Sequence, residues 1–411
     1  MPLPLARYAW LVVGLLMPVA LLNYLDRQML ATMRSSVMAD IPSIGTNANW
    51  GIMLGQFKWV YAFLSPLGGY IADRFGRRFT ICGSLFVWSA VTVWTGRVTT
   101  FDELLVARSL MGISEAFYIP AALALIADYH VGPTRSRAVG LHQMAIYCGV
   151  IAGGFGGDVA DEPALGWRFA FLVCGLAGML YAIPLAFLLK DAPRPDVVLA
   201  KPSPVGAVSE LLANPFFLLL VLYFTLPALA GWVVRDWGPA ILKDEFGIAQ
   251  GKAGRYATLT WQCAAIVSAV LGGWLADHWM TQTVRGRIYV SALGMLILVP
   301  AIAGLGNAPT LGAAVVFLIL FGIGWGFFDG NNMPILCQIV RPDLRATGYG
   351  IMNLVSISCG GLADWGFGAL RDANVPLGTI FGTFAAAAAI SIVLVLLIRP
   401  KRDAESQPRE F

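Results

Sequence analysis

The chain has 411 residues, of which 58% are hydrophobic and 13% charged, with a net charge of +4. A soluble domain carries about a quarter charged residues, so charge is scarce here along the whole length, and the mean hydropathy of +0.71 implies many membrane spans rather than one anchor. The few basic residues are not gathered on one soluble face, which excludes a nucleic-acid-binding surface.

Apolar runs of spanning length predict helices near 8–32, 48–72, 79–97, 103–127, 136–157 and 168–190. A second set is predicted near 215–242, 253–279, 287–306, 310–337, 345–369 and 376–398. The first run follows Arg7 and has no small-residue cleavage site after a short apolar core, so it is read as an uncleaved span. Between the two sets lies Lys190-Asp191-Ala192-Pro193-Arg194-Pro195-Asp196, continuing to Lys201-Pro202-Ser203-Pro204. Charge and proline make this a linker. The expected architecture is all-α and integral to the membrane, with twelve helices in two pseudo-symmetric bundles of six. The first bundle is residues 1–190, the linker 191–214, and the second bundle with a short tail 215–411.

The first span ends with Asn23-Tyr24-Leu25-Asp26-Arg27. An ionisable group at bilayer depth costs roughly 2.5–3.5 kcal/mol on insertion scales, and is retained where it faces a partner or an aqueous cavity. Arg27 keeps its charge, and its planar fork matches a carboxylate. Asp26 is its neighbour in sequence, but adjacent side chains on a helix point about 100° apart. Glu115 in the fourth span is the expected third member of their network. If a substrate carboxylate takes over Arg27, the released acid can take up a proton.

In the second span, Lys58 precedes Tyr61 by three residues, so both share a helix face. Lys58 either gives an anion a second positive contact or pairs with a carboxylate. Arg235 and Asp236 sit in the outer half of the seventh span and read as a gate or an internal pair. In the tenth, Asp329, Asn331 and Asn332 follow the glycine-rich Gly322-Ile323-Gly324-Trp325-Gly326. Glycines permit bends and close helix approach, so Asp329, Asn331 and Asn332 are read as a cavity wall or as helix–helix hydrogen-bonding groups, with Trp325 placed to stack on a sugar ring or to pack. Asn353 in the eleventh span could bind hydroxyls. Gly149, Gly153, Gly154, Gly156 and Gly157 in the fifth are read as tight-packing positions. The six cysteines fall in apolar stretches without a CxxC pair and read as packing residues; no metal site or cofactor is expected. Three histidines, with no HExxH and no GxSxG, argue against an enzyme.

Lysine and arginine alternate between loops. Arg74, Arg77, Arg78, Arg135, Arg137, Arg285, Arg287, Arg341 and Arg345 fall on one side with the linker and the tail, while the opposite loops are acidic or nearly neutral. Both termini are therefore expected in the cytoplasm. Gly69-Tyr70-Ile71-Ala72-Asp73-Arg74 closes the second span and Gly273-Trp274-Leu275-Ala276-Asp277-His278 closes the eighth. Recurrence at equivalent positions marks an internal repeat.

Gly69-x-x-x-Asp73-Arg74-x-Gly76-Arg77-Arg78 resembles the signature between helices 2 and 3 of the major facilitator superfamily, and Arg108-x-x-x-Gly112 resembles that superfamily's second motif. The resemblance implies a carrier working by alternating access, with Gly69, Asp73, Arg74, Arg77, Arg78, Arg108 and Asp277 in a conformational latch. Asn23 to Arg27, Gly112-Ile113-Ser114-Glu115-Ala116, Gly166-Trp167-Arg168-Phe169-Ala170-Phe171 and Trp237-Gly238-Pro239 are similar to the anion:cation symporters of that superfamily. That resemblance implies that Arg27 binds a substrate carboxylate, that Asp26 and Glu115 carry coupling protons, and that Tyr61 and Asn353 touch substrate. Spinster-like lysolipid transporters share a similar Asp-Arg pair and helix 4 glutamate, so that reading stays open, as does an exporter or antiporter. The expectation is a monomeric proton-coupled symporter of a small organic anion, a sugar acid or related carboxylate, in a bacterial-type cytoplasmic membrane.

Overall fold

The computed structural model describes residues 5–130, 134–192, 204–341 and 344–400, with the side chains of 5, 6, 68–70, 72, 73, 135, 136, 204 and 205 outside that description. The linker cations Arg194 and Lys201 and the tail cations Lys401 and Arg402 lie outside the described residues. So does the side chain of Asp73.

The fold is all-helical: α1 (Leu5–Thr32), α2 (Arg34–Asp40), a 3₁₀ turn (Pro42–Ile44), α3 (Asn47–Phe75), α4 (Arg77–Thr95), α5 (Phe101–Glu115), α6 (Tyr118–Tyr129), α7 (Arg135–Gly153), α8 (Gly156–Asp161) and α9 (Gly166–Leu188). The second half follows with α10 (Pro204–Ala213), α11 (Pro215–Phe246), α12 (Gln250–Met280), α13 (Gly286–Gly306), α14 (Leu311–Ile339), α15 (Arg345–Asp372) and α16 (Leu377–Leu397). Twelve spans result when α5 with α6, and α7 with α8, are each taken as one broken membrane helix. Among the described residues, nine helices are long and apolar enough to cross a bilayer by length and composition alone. The three others, α3, α4 and α15, are also of spanning length but more polar.

Several ends are set by local chemistry. Thr100 accepts the amide of Glu103, and the Glu103 side chain returns to the Thr100 amide, a capping box that starts α5. Thr46 and Thr310 cap α3 and α14 through the amides of Asn49 and Ala313.

Two compact units emerge. The first comprises Met1–Val197, Arg235–Thr258 and Asp364–Ala369; the second comprises Val198–Val234, Leu259–Ala363 and Leu370–Phe411. In the first unit, α1 lies along α7 because the facing positions of α7 are glycines. A methyl at Gly149 would overlap the Leu21 carbonyl, and one at Gly153 would come within 2.7 Å of the Leu25 carbonyl. This is close backbone packing of the kind small residues allow between membrane helices. In the second unit, α13 packs against both α14 and α16. There the glycines of α14 serve two neighbours: a methyl on Gly322 or Gly326 would run into α12 backbone, while one on Gly324 would come within 2.8 Å of the Gly294 carbonyl of α13. Close approach, rather than a bend, accounts for that glycine run.

A buried charge network around Arg27

Asp26 and Arg27 diverge as helical neighbours must. Asp26 turns toward α4, where it accepts a hydrogen bond from the Thr92 hydroxyl. Arg27 turns toward α5: its Nε donates to Glu115 Oε2 at 2.6 Å, and Nη2 approaches the same oxygen at 2.6 Å. Glu115 is fully buried, and its Oε1 finds no hydrogen-bond partner among the described residues. Three rings surround the guanidinium, with centroids at 4.8 Å for Tyr24, 4.6 Å for Phe57 and 4.8 Å for Tyr61. Phe57 and Tyr61, four residues apart on α3, stack on each other at 5.9 Å. Such a cage favours a desolvated cation through the ring quadrupoles.

Arg108 stands two helical turns before Glu115 on the same face of α5. It is buried, with its guanidinium 4.5 Å from the Phe57 centroid, within electrostatic reach of Asp26, Glu115 and Asp236. It therefore belongs to this buried group and does not meet Arg77. Arg77 instead pairs with Asp128 and donates to the Ala124 carbonyl, and sixteen residues of helix separate 108 from 124, roughly 24 Å.

Lys58 is 5% exposed. Its ammonium lies 2.5 Å from Asp236 of α11 and also pairs with Asp364 of α15. Arg235 sits over Tyr24 at 5.3 Å and acts on both carboxylates. The first unit thus gathers four cations, Arg27, Lys58, Arg108 and Arg235, and four carboxylates, Asp26, Glu115, Asp236 and Asp364. The group is balanced, which is how eight ionisable side chains persist in an apolar interior.

Asp364, Thr92, Phe57 and Tyr24 were not singled out in the sequence. Asp364 could have been, because it is the acidic residue within the predicted span 345–369 and Lys58 lacked a partner. The ring positions had no signal beyond their aromatic character.

The other expected site residues fall in the second unit. Trp325 is half-buried among Trp261, Phe321 and Phe328, with centroids at 6.3, 5.7 and 5.3 Å. Asn331 donates to the Phe327 carbonyl of its own helix, and Asn332 is buried beside Asp329. Asn353 is half-buried. Among the latch residues, Arg74 is exposed, the Arg78 amide donates to Asp191, and Asp277 of α12 faces Arg287 of α13 at 4.0 Å.

Residues 16–363 match the family model described as Major Facilitator Superfamily. The chain belongs to the major facilitator superfamily. It is therefore an integral membrane protein of a transporter family. It is 28% identical over 375 residues to protein spinster homolog 1 of Xenopus tropicalis, covering 85% of this chain and 70% of that one. An MFS-type efflux pump of Mycolicibacterium smegmatis is 27% identical over 375 residues, covering 89% and 85%. The crystal structure of a bacterial homologue of the human lysosomal transporter spinster superposes with a TM-score of 0.77 at 22% identity, covering 97% of this chain and 96% of that one, which supports the fold.

Proposed function

We propose that this protein is a proton-coupled secondary transporter of a small organic anion bearing one negative group. The observation that carries this reading is the Arg27–Glu115 pair, held at 2.6 Å inside a cage of three rings. In this state Glu115 occupies the place an anion would take on the guanidinium. Protonation of Glu115 vacates Arg27 without leaving a bare buried carboxylate, and a solute carboxylate then replaces it. Solute and proton thus enter together, and the buried group returns to neutrality with both bound. The free oxygen of Glu115 offers a place for the proton, and Asp26, with one oxygen on Thr92 and the other without a partner among the described residues, offers a second.

The choice of a single charge follows from Lys58. Its ammonium is shared by Asp236 and Asp364, whereas Arg27 is held by Glu115, a single carboxylate that one solute carboxylate can replace. The remaining expectations, Tyr61, Asn353, Asn331, Asn332 and Trp325 as further solute contacts, a monomer, and a bacterial-type inner membrane with both termini in the cytoplasm, belong to the same reading.

A lysolipid-type substrate is the second reading. The similarity to spinster homolog 1 supports it, and so does a ring-lined cation that would accept a phosphate headgroup as readily as a carboxylate. A thermal-shift series with sugar acids, dicarboxylates and lysophospholipids on the purified protein separates the two. Proteoliposomes with an imposed pH gradient then test coupling. Glu115→Gln is expected to keep binding and to lose accumulation driven by the gradient; accumulation equal to the unmodified protein removes Glu115 from that role.

A further inference from the structure

Lys58 is held from the far half of the sequence. Its two partners, Asp236 and Asp364, lie on α11 and α15. Asp364 is fully buried and its Oδ1 has no hydrogen-bond partner among the described residues. The other charged groups acting on these carboxylates are Arg235 of α11, on both, and Arg108 of α5, on Asp236.

The same segments are fastened to the first six helices at several more points. A methyl on Gly51 would overlap the Asp364 carbonyl, and one on Gly368 would overlap the Asn47 carbonyl. Asp158 pairs with Arg255, and Asp161 accepts the Gly251 amide at 2.9 Å. Gln28 donates to the Arg235 carbonyl at 3.3 Å. Arg235–Thr258 and Asp364–Ala369 therefore belong to the first unit, although the rest of α11, α12 and α15 belongs to the second. Within this set, the Lys58 triad is the buried ionic element, and the Asp158–Arg255 pair is more exposed, at 37% and 40%.

We propose that Lys58, Asp236 and Asp364 form a charge lock that closes the non-cytoplasmic mouth of the transport path and parts when that mouth opens. A buried ion pair suits this task because both of its states are tolerable. Closed, each charge has its partner; open, water enters between the helices and hydrates all three. A permanent pair would have only the first state. The lock also explains why a lysine at membrane depth serves no solute while it is closed: its counter-ions come from the protein itself.

A distance measurement tests this without any solute, so its failure leaves the anion reading standing. Spin labels go on Glu162→Cys and Ala249→Cys, both exposed, in the full chain with its six native cysteines replaced and reconstituted in lipid nanodiscs. Lys58→Ala is expected to raise the ratio of long to short distances by roughly tenfold or more, since an unpartnered buried carboxylate disfavours the closed state. Combining Lys58→Asp with Asp364→Lys is expected to restore the short distance. If Lys58→Ala does not fold, Asp236→Asn, which leaves one carboxylate on Lys58, is expected to shift the ratio in the same direction by less. A distance distribution unchanged in whichever of these two variants folds overturns the lock.

Discussion

The two compact units bury different chemistry. By side-chain exposure, the buried aspartates, glutamates, lysines and arginines among the described residues, Asp26, Lys58, Arg108, Glu115 and Asp364, belong to the first unit. The second unit buries amides such as Asn331 and Asn332 and a chain of rings running from Trp261 through Phe321, Trp325 and Phe328 to Tyr223 and Phe224. Ring contacts hold whatever the protonation state, whereas ion pairs respond to a proton or an anion. On the proposed function, protons and solute charge act on the network of the first unit, while the rings of the second unit serve packing.

The largest expected effects come from the centres of the two regions, and they differ in kind. Arg27→Met leaves Glu115 buried without its cation and is expected to cost about 3–5 kcal/mol. Adding Glu115→Leu to it should recover most of that loss, because replacing both partners removes the stranded charge. Trp325→Ala is expected to cost about 3 kcal/mol as a cavity, and its loss should simply add to that of Arg27→Met. Unfolding in detergent of Arg27→Met, Glu115→Leu, Trp325→Ala and the two double variants measures this. Strict additivity of Arg27→Met with Glu115→Leu would break the contrast between the two units.

A smaller effect sharpens the same comparison from the packing side. Gly149→Ala drives a methyl into the Leu21 carbonyl and should cost about 1–3 kcal/mol through overpacking. Gly83→Ala meets nothing within 4 Å and should be neutral or gain up to about 1 kcal/mol from reduced backbone freedom. Thermal melts of the two variants check this. Equal melts would mean that α1 and α7 are not held by backbone proximity.

Much of this was legible in the sequence because membranes restrict the choices. Apolar length places nine of the spans, and a charge within a span announces itself by its cost, which is why Asp26, Arg27, Lys58 and Glu115 stood out. The divergence of Asp26 from Arg27 follows from helical geometry. What the sequence did not reveal was which distant charges meet. Lys58 read equally well as a solute contact or as half of a pair, since its partners lie 178 and 306 residues away, and no local pattern encodes a crossing between helices so far apart. Arg108 read as a latch residue from its motif alone, and the sequence did not reveal that its side chain joins the buried group with Asp26, Glu115 and Asp236. The glycine run of α14 read as permitting either a bend or close approach, because periodicity cannot tell a flexed helix from one flanked by two close neighbours.

The smallest expected effect tests whether exposure, rather than charge as such, separates the regions. Asp277 ends the repeated Gly-x-x-x-Asp segment, yet its side chain is 79% exposed and Arg287 stands 4.0 Å away. Water screens a pair of this sort, and exposed pairs contribute about 0–1 kcal/mol, less still in high salt. Asp277→Asn should therefore shift the unfolding midpoint by no more than about 0.5 kcal/mol equivalent, with the difference fading in molar salt. Asp26→Asn, the same chemical change at a buried site, should move it several times further. A loss at Asp277 as large as at Asp26 would mean that this carboxylate has a role its exposure and its long contact to Arg287 do not account for, and the contrast between a responsive first unit and a passive second one would then fail.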